Sequence, residues 1–134
     1  MPDYSPVYIP SKIVTMTVSA AVSGGDLLEV SGSGTVRKCA TVISFAYIGV
    51  AGEDTPVNGR VTVYARGFVH ESIADGVITA GDQLNTSNTA GRQVVTAAAT
   101  GASPAKADVD RVRGIIGVAL TTVADNAKVR WMEF

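Results

Sequence analysis

The residues that could carry chemistry in this sequence are few, and their spacing does not group them. His70 is the only histidine, and Glu71 follows it in a stretch that is typical of a strand. Because neighbours on a strand point to opposite faces, these two side chains would not form a general acid–base pair. Asp26 and Asp82 each follow a glycine in a predicted turn. Aspartate in such a turn usually accepts hydrogen bonds from nearby backbone amides, so we predict no pair of catalytic carboxylates.

Cofactor and metal sites are equally poorly supported. Cys39 is the only cysteine, which excludes a disulfide within the chain and a cysteine-based zinc site. It lies in a predicted strand, where a small buried hydrophobe is expected more often than a reactive thiol. The Ser-Gly-Ser-Gly run at residues 31–34 lacks the lysine and the following helix of a phosphate-binding loop. We predict that the protein is not an enzyme and binds neither cofactor nor metal; a small hydrolase using His70 is kept as an alternative without positive support.

Composition limits the class of partner. The 134 residues include 11 Lys+Arg against 12 Asp+Glu, and only 17% are charged, where soluble domains have about 25%. A net charge near zero argues against nucleic acid or an acidic membrane as partner, but it favours association with other proteins. The longest uncharged stretch, residues 39–52, is too short to span a bilayer. The N-terminus lacks the basic and apolar regions of a signal peptide.

The same composition predicts an all-β fold. Val occurs 20 times and Leu four times, and β-branched residues favour strands over helices. Strands separated by turn signals are predicted at residues 13–20, 27–30, 35–40, 45–50, 60–70, 93–95, 113–120 and 128–134. This spacing is typical of a small β-barrel or a sandwich.

The clearest predicted strand, residues 60–70, has two different faces. Small apolar residues alternate along one face, namely Val61, Val63, Ala65, Gly67 and Val69. The other face mixes arginines with rings: Arg60, Thr62, Tyr64, Arg66, Phe68 and His70. A strict period of two indicates a half-buried strand. A face in contact only with solvent does not need aromatic side chains. The arginine and aromatic face is therefore a candidate for partner contact.

An extended N-terminal arm precedes the predicted strands. Prolines at positions 2, 6 and 10 block helix formation, and between them lie the apolar and aromatic residues Tyr4, Val7, Tyr8 and Ile9. The arm either lies on a partner or packs on its own domain as an edge strand. We predict an arm at residues 1–14 and a single β-domain at 15–134, with a loop insertion at 96–110.

Two stretches of the sequence are repeated approximately. Residues 22–28 are echoed by 78–84, and Ile-Gly-Val-Ala at 48–51 by the same four residues at 116–119. Each copy of Ile-Gly-Val-Ala is followed by a loop and a further strand. A glycine within a strand allows either close backbone approach or a bulge. The echo predicts an internal pseudo-repeat; the alternatives are chance similarity or a residue pattern that strands have in common.

The order of these motifs resembles a known family. Gly-Asp-Leu-Leu-Glu-Val at 25–30, the two Ile-Gly-Val-Ala copies, Gly-Arg-Val-Thr-Val-Tyr-Ala-Arg-Gly at 59–67, Ala-Gly-Asp-Gln-Leu at 80–84 and Val-Arg-Trp at 129–131 resemble the small capsid cement (head decoration) proteins of tailed bacteriophages. The resemblance covers roughly residues 22–134. It implies a structural protein on the outer surface of an HK97-type head, made in the host cytoplasm. Its partners would be the major capsid protein and itself, as a homotrimer between capsomers. The segment 96–110 is longer than this pattern usually allows.

Eight residues are candidates for contact with the capsid or another partner: Tyr4, Val7, Tyr8, Ile9, Arg60, Tyr64, Arg66 and Phe68. The alternative function is a trimeric phage fibre or baseplate module that binds a receptor or glycan. Its aromatic site would have to come from Tyr64, Phe68 and Trp131.

Overall fold

A computed structural model describes residues 13–40, 43–65, 67–89, 93–97 and 114–134. The predicted contacts Tyr4, Val7, Tyr8, Ile9 and Arg66 lie outside these ranges, as does nearly all of the predicted insertion at 96–110. The first strand begins at Ile13, two residues before the predicted start of the β-domain at residue 15. The described residues contain no helix that is long and apolar enough to cross a membrane.

The described residues form ten strands in two closed five-stranded barrels, which confirms the all-β prediction. Barrel one contains β1 (Ile13–Val18), β2 (Leu27–Gly32), β3 (Thr35–Lys38), β4 (Tyr47–Ala51) and β5 (Arg60–Tyr64), in the spatial order β1-β3-β2-β4-β5. Barrel two contains β6 (Val69–Asp75), β7 (Gln83–Thr86), β8 (Val94–Thr96), β9 (Gly117–Ala119) and β10 (Lys128–Glu133). Its spatial order is β10-β6-β8-β7-β9.

The two barrels repeat one topology. β1 runs parallel to β3, and β6 runs parallel to β8, while the other neighbouring pairs are antiparallel. An isolated bridge joins Val22 to Thr55 in barrel one, and Ile78 to Val123 at the same point of barrel two. The internal repeat predicted from the sequence echo is therefore present in the fold.

The repeated glycine of Ile-Gly-Val-Ala has the same environment in both barrels. A Cβ on Gly49 would overlap the backbone oxygen of Tyr64 on β5, and one on Gly117 would overlap that of Met132 on β10. Both strand pairs thus need a residue without a side chain, as the sequence predicted.

The barrels share part of their apolar core. The interior of barrel one is a separate cluster made of Val18, Val22, Leu28, Val36, Ala51, Val61 and Val63. The second cluster fills barrel two around the fully buried Trp131, whose Nε1 donates to Ser72 Oγ at 2.9 Å. Leu27, Cys39 and Val50 of barrel one also belong to this second cluster. Apolar contact therefore continues from one barrel into the other.

The prediction of one continuous strand at residues 60–70 is wrong. β5 ends at Tyr64, Gly67 has a positive φ of 88°, and β6 begins at Val69 in the other barrel. The positive φ interrupts the extended conformation where the chain passes between barrels. Val61 and Val63 are buried as predicted, but Val69 is exposed on the outside of barrel two.

Candidate partner-binding surfaces

Four rings form a continuous chain where barrel one connects to barrel two. Tyr64 at the end of β5 meets Phe68 edge-on, with ring centroids 5.3 Å apart and planes at 73°. Phe68 lies 6.2 Å from the His70 ring, which lies 5.3 Å from the Trp131 ring. Tyr64 and Phe68 are thus brought into contact where the chain turns at Gly67, whereas the predicted continuous strand would have placed these two residues roughly 13 Å apart on one face. Each ring covers part of the other, and both side chains are half-buried.

Arg60 is not part of this ring chain. It pairs with Thr17 across the β1–β5 ladder, whereas Tyr64 pairs with Ile13 at the other end of the same strand. At about 3.3 Å per residue, the two positions are roughly 13 Å apart. Arg60 is exposed and lines a groove with Val14 and Met16 of β1. The structure therefore separates the predicted contacts on β5 into two places.

His70 is oriented by a carboxylate, that of Glu133, and by a neighbouring ring, that of Trp131. Its Nε2 lies 3.0 Å from Glu133 Oε2, and one ring face lies against Trp131. Glu71 points the other way and accepts from Arg130 Nη2 at 2.8 Å, so His70 and Glu71 form no pair, as predicted. The described interactions of His70 are thus ring contacts with Phe68 and Trp131 and the contact with the Glu133 carboxylate.

A cavity of about 140 Å³ opens beside Glu133. Its described lining comes from both barrels: Ser44, Phe45, Tyr47 and Ile48 from barrel one, and Gly114, Ile115, Ile116, Glu133 and Phe134 from barrel two. Phe45 and Phe134 are exposed, but Glu133 is only 3% exposed. Its Oε2 has His70 as partner, while its Oε1 is buried and has no hydrogen-bond partner among the residues that the structure describes. The rings of Phe45 and Phe134 therefore border the cavity, while the Glu133 carboxylate lies beneath its surface.

An apolar row crosses three strands on the outside of barrel two. Met132 on β10 pairs with Val118 on one side and with Val69 on the other. Val69 is 50% exposed and Met132 is 42% exposed. The Arg130–Glu71 ion pair lies at the next outward position and borders the row. Apolar side chains with an ion pair at the border are typical of a protein–protein contact.

The equivalent row of barrel one differs in exposure. Its members are Val50, Tyr64 and Ile13, which pair in the same pattern. Val50 is buried because it contributes to the cluster shared with barrel two. The row on barrel two has no such cover among the described residues.

Glu29 is a buried carboxylate with a structural environment. Arg37 Nε donates to its Oε1 at 2.9 Å, and Ser44 Oγ donates to its Oε2 at 2.6 Å. Burial raises the pKa of Glu29, but the hydrogen bonds from Ser44, Arg37 and Ala40 lower it by more, so the net shift is downward. The Ser44 amide donates to Thr86 Oγ1 of barrel two at 2.9 Å. Glu29 therefore fixes the loop between β3 and β4 of barrel one, which contacts barrel two through Ser44.

The remaining candidate residues also have structural roles. Cys39 is buried, and burial raises the pKa of its thiol to about 12, with a further contribution from the charge of Glu29. Asp26 accepts from the Ser23 amide and Asp82 from the Thr79 amide, both at 2.9 Å, in equivalent turns of the two barrels. Within the described ranges, no three His, Cys, Asp or Glu side chains are grouped so that they could hold a metal ion.

Sequence reasoning missed the cavity and the apolar row. The strand at residues 128–133 alternates, so that Val129, Trp131 and Glu133 share the inward face. A carboxylate on the apolar face of an alternating strand is a signal that could have identified Glu133. Phe45 and Phe134 gave no such signal, because isolated exposed apolar residues are common on protein surfaces.

Comparisons with known proteins identify a similar fold but no family. No protein-family model matches the sequence, and no curated protein matches it significantly. A solved structure of the N base of the head fiber protein gp8.5 of bacteriophage phi29 is similar, with a TM-score of 0.58. The two sequences are 19% identical, and the alignment covers 91% of this chain and 92% of that one. The chain is therefore similar in fold to that N base along almost the full length of both chains.

Proposed function

We propose that this protein is a non-enzymatic structural component of a bacteriophage head. It binds the outer surface of an HK97-type shell between capsomers, as a homotrimer, and stabilises the shell. The observation that carries this proposal is the similarity in fold to the phi29 head fiber base, a protein of a phage head, over 91% of this chain. The motif order in the sequence supports the same class of protein independently of that comparison.

The exposed surfaces supply a means of binding. The row of Val118, Met132 and Val69 is apolar and bordered by an ion pair, so it offers a surface that association would remove from water. Arg60 is exposed on the other barrel, and the arm at residues 1–14 adds Tyr4, Val7, Tyr8 and Ile9. In this proposal the body contacts the shell while the arm lies along it and adds a strand to a capsid edge. Many weak contacts repeated over a head then act together through multivalency.

A fibre or baseplate module is the second candidate function. It is favoured by the similar structure being that of a head fiber base rather than a cement protein. In that case barrel one and barrel two would form the attachment end of a trimer that presents a receptor-binding or glycan-binding segment. The two functions differ in number of copies per head and in their effect on head stability.

Co-sedimentation with purified, expanded phage heads tests the proposal. We expect saturable binding at many equivalent sites per head, and a higher temperature of head rupture in the presence of the protein. Binding at a few sites with an unchanged rupture temperature would support the fibre instead. An absence of binding at all concentrations would contradict both.

Two variants locate the contact. A Val69→Lys, Met132→Lys double variant places two charges in the apolar row and is expected to lower head occupancy by at least tenfold. Val77→Lys is the matched control, because Val77 is also an exposed valine of barrel two but lies outside the row. Deletion of residues 2–12 tests the arm; unchanged occupancy after that deletion would contradict the role given to it.

A further inference from the structure

The two barrels repeat one topology, but they use different surfaces to contact each other. Barrel one contributes Leu27 and Val50, which pair across β2 and β4. Both residues lie outside the interior cluster of barrel one and pack into the cluster that fills barrel two. They are only 3% and 5% exposed. The pair at this position is named the covering face of its barrel.

Barrel two contributes the surface that is covered. Thr86 is fully buried, and its Oγ1 accepts from the Ser44 amide of barrel one at 2.9 Å. Gln93 Nε2 donates to the Gly25 carbonyl of barrel one, also at 2.9 Å. Thr86 and Gln93 thus mark what is named the receiving surface of barrel two.

The ladder registers locate the covering face of barrel two. Gln83 pairs with Val118 across β7 and β9. The next position in each barrel pairs a leucine with the repeated strand glycine, so this pair is equivalent to Leu27 with Val50. Gln83 is exposed and Val118 is half-buried. The covering face that is buried in barrel one is therefore open in barrel two.

The receiving surface of barrel one is located in the same way. Thr86 pairs with Val94 in barrel two. The equivalent pair in barrel one is Val30 with Val36, since Val36 and Val94 are the buried valines of the parallel strands β3 and β8. Thr86 is fully buried, but Val30 is 44% exposed. The receiving surface that is buried in barrel two is therefore open in barrel one.

The two open surfaces are complementary in origin. Barrel one covers barrel two within the chain, which leaves one receiving surface and one covering face exposed at different places on the molecule. A second copy can bury both kinds of surface if the contact between barrels is repeated from chain to chain. Such a contact joins two different surfaces, so it is heterologous, and heterologous contacts form a ring when the rotation between copies closes.

We propose that the covering face of barrel two packs on the receiving surface of barrel one in a second copy of the chain. This contact repeats the one between the barrels of a single chain. The inference rests on the homotrimer of the proposed function and names its contacting surfaces, so that three copies place six barrels in one ring.

The exposed residues of the apolar row, Met132 and Val69, stay available to the phage head in this ring. Their counterparts in barrel one are Tyr64 and Ile13. Tyr64 is half-buried and Ile13 is 45% exposed, although the neighbouring Val50 is covered by barrel two. Contact between copies through Val118 therefore leaves the rest of the row for the shell.

Sedimentation velocity of the purified full-length chain, without phage heads, tests the contact. Val118→Lys alters the covering face of barrel two, and Val30→Lys alters the receiving surface of barrel one. Each should raise the concentration at which the trimer half-dissociates by about tenfold or more, because the contact would bury an unpaired charge. Val77→Lys is the matched control, since Val77 is 69% exposed and belongs to neither surface. Gln83→Lys, at an exposed position, replaces Val118→Lys if that variant does not fold.

The contact within the chain also predicts which residues of two copies come close. Thr35 is the counterpart of Gln93, because each directly precedes the buried valine of its strand. Gly81 is the counterpart of Gly25, because each precedes the turn aspartate and has a φ near 90°. Gln93 contacts Gly25 within the chain, so Thr35 of one copy should lie close to Gly81, and to the exposed Ala80 beside it, of the next.

Cross-linking with a short bismaleimide tests this orientation. When Thr35→Cys and Ala80→Cys chains are co-expressed, the reagent should join one variant to the other and neither variant to itself. The native Cys39 is buried, with its thiol pKa raised to about 12, so it should not react.

Three results would overturn the proposal. They are a wild-type chain that stays monomeric up to about 100 μM, a trimer that either lysine variant leaves unchanged, and a co-expressed mixture without cross-links between the two variants. Head co-sedimentation is measured separately, so a failure of head binding and a failure of the ring can be told apart.

Discussion

Glu29 shows how a single buried charge can be supported by the chain around it. The guanidinium of Arg37, the hydroxyl of Ser44 and the amide of Ala40 all donate to its carboxylate. These hydrogen bonds outweigh the effect of burial, so the pKa of Glu29 is below its ordinary value of 4.5. A carboxyl group whose pKa is lower in the folded state stabilises the protein above the unfolded pKa, and this stabilisation is lost as the pH falls through the folded pKa.

Replacing Glu29 with Gln should therefore have a pH-dependent cost. At pH 7 we expect the variant to lose about 1.5–3 kcal/mol of unfolding free energy, which is typical of hydrogen bonds to a charged group. The difference from wild type should begin to narrow as the pH falls below about 4.5, because Glu29 of the unfolded chain is protonated first, and it should be lost once the pH passes the lowered pKa of folded Glu29. Urea unfolding at pH 7, 5, 4 and 3 measures this difference.

Glu71→Gln is the matched control for that measurement. Arg130 also lowers the pKa of Glu71, through a hydrogen bond and its charge, but the Glu71 carboxylate is in solvent. Exposed ion pairs contribute little to stability, so the urea midpoint of this variant should stay close to wild type at each pH. A constant free-energy difference for Glu29→Gln across the pH range would contradict the role given to its charge.

The thiol of Cys39 should be unreactive in the folded protein. Burial and the nearby charge of Glu29 raise its pKa to about 12, and the thiolate is the reactive form. We expect iodoacetamide at pH 8 to label native protein slowly and urea-unfolded protein fast, with mass spectrometry giving the labelled fraction over time. Complete labelling of native protein at the rate of the unfolded chain would show that Cys39 is accessible.

At the scale of elements, the fold repeats one close approach between strands. Gly49 on β4 faces the backbone of β5, and Gly117 on β9 faces the backbone of β10. In each case the obstructing atom belongs to backbone and cannot rotate away, unlike a side chain. In each barrel, the two strands can therefore lie this close together only because this position is a glycine.

Alanine at either position should force its strand pair apart. We expect Gly49→Ala and Gly117→Ala each to cost about 2–3 kcal/mol, at the upper end of the range for overpacked sites. Gly24→Ala is the control, because a Cβ there would make only ordinary contacts of 3.5 Å or more. Thermal unfolding followed by circular dichroism compares the three, and equal melting temperatures for all of them would refute the close-approach argument.

Much of this element structure could be predicted from sequence, and the failures have a physical cause. Val and Thr content, turn spacing and the repeated Ile-Gly-Val-Ala identified an all-β fold with an internal repeat. The division between barrels was missed because apolar parity continues from Val63 through Ala65 and Gly67 to Val69, although the backbone turns at Gly67. Periodicity reports which side chains share a face only while the chain stays extended.

The candidate surfaces could also be predicted from sequence only in part. Tyr64 and Phe68 could be assigned to one face because they are close in sequence, but their ring contact depends on the turn at Gly67, which was not predicted. The cavity could not, since its lining comes from residues 44–48 and from residues 114–116 and 133–134. No local pattern links segments that only the closure of two barrels brings into contact.

At the scale of the molecule, the two barrels are coupled by several kinds of contact. Val50 of barrel one belongs to the apolar cluster that fills barrel two. Ser44 N donates to Thr86 Oγ1 at 2.9 Å, and Gln93 Nε2 donates to the Gly25 carbonyl at 2.9 Å, both across the junction. Separating the barrels would expose buried apolar surface to water and break both hydrogen bonds across the junction. We therefore expect the repeat to unfold as one cooperative unit.

The single tryptophan makes this cooperativity measurable. Trp131 is buried in barrel two, so its fluorescence reports that barrel, whereas far-UV circular dichroism reports both.

Val36 is buried in the separate cluster of barrel one, and Val36→Ala should cost about 2–3 kcal/mol of unfolding free energy through lost burial and the cavity left behind. If the barrels unfold together, this substitution lowers the urea midpoint of Trp131 fluorescence by as much as that of circular dichroism. Val129→Ala, the equivalent change inside barrel two, should shift both signals likewise. A fluorescence midpoint that Val36→Ala leaves unchanged, while the circular dichroism transition splits in two, would mean that each barrel is stable alone.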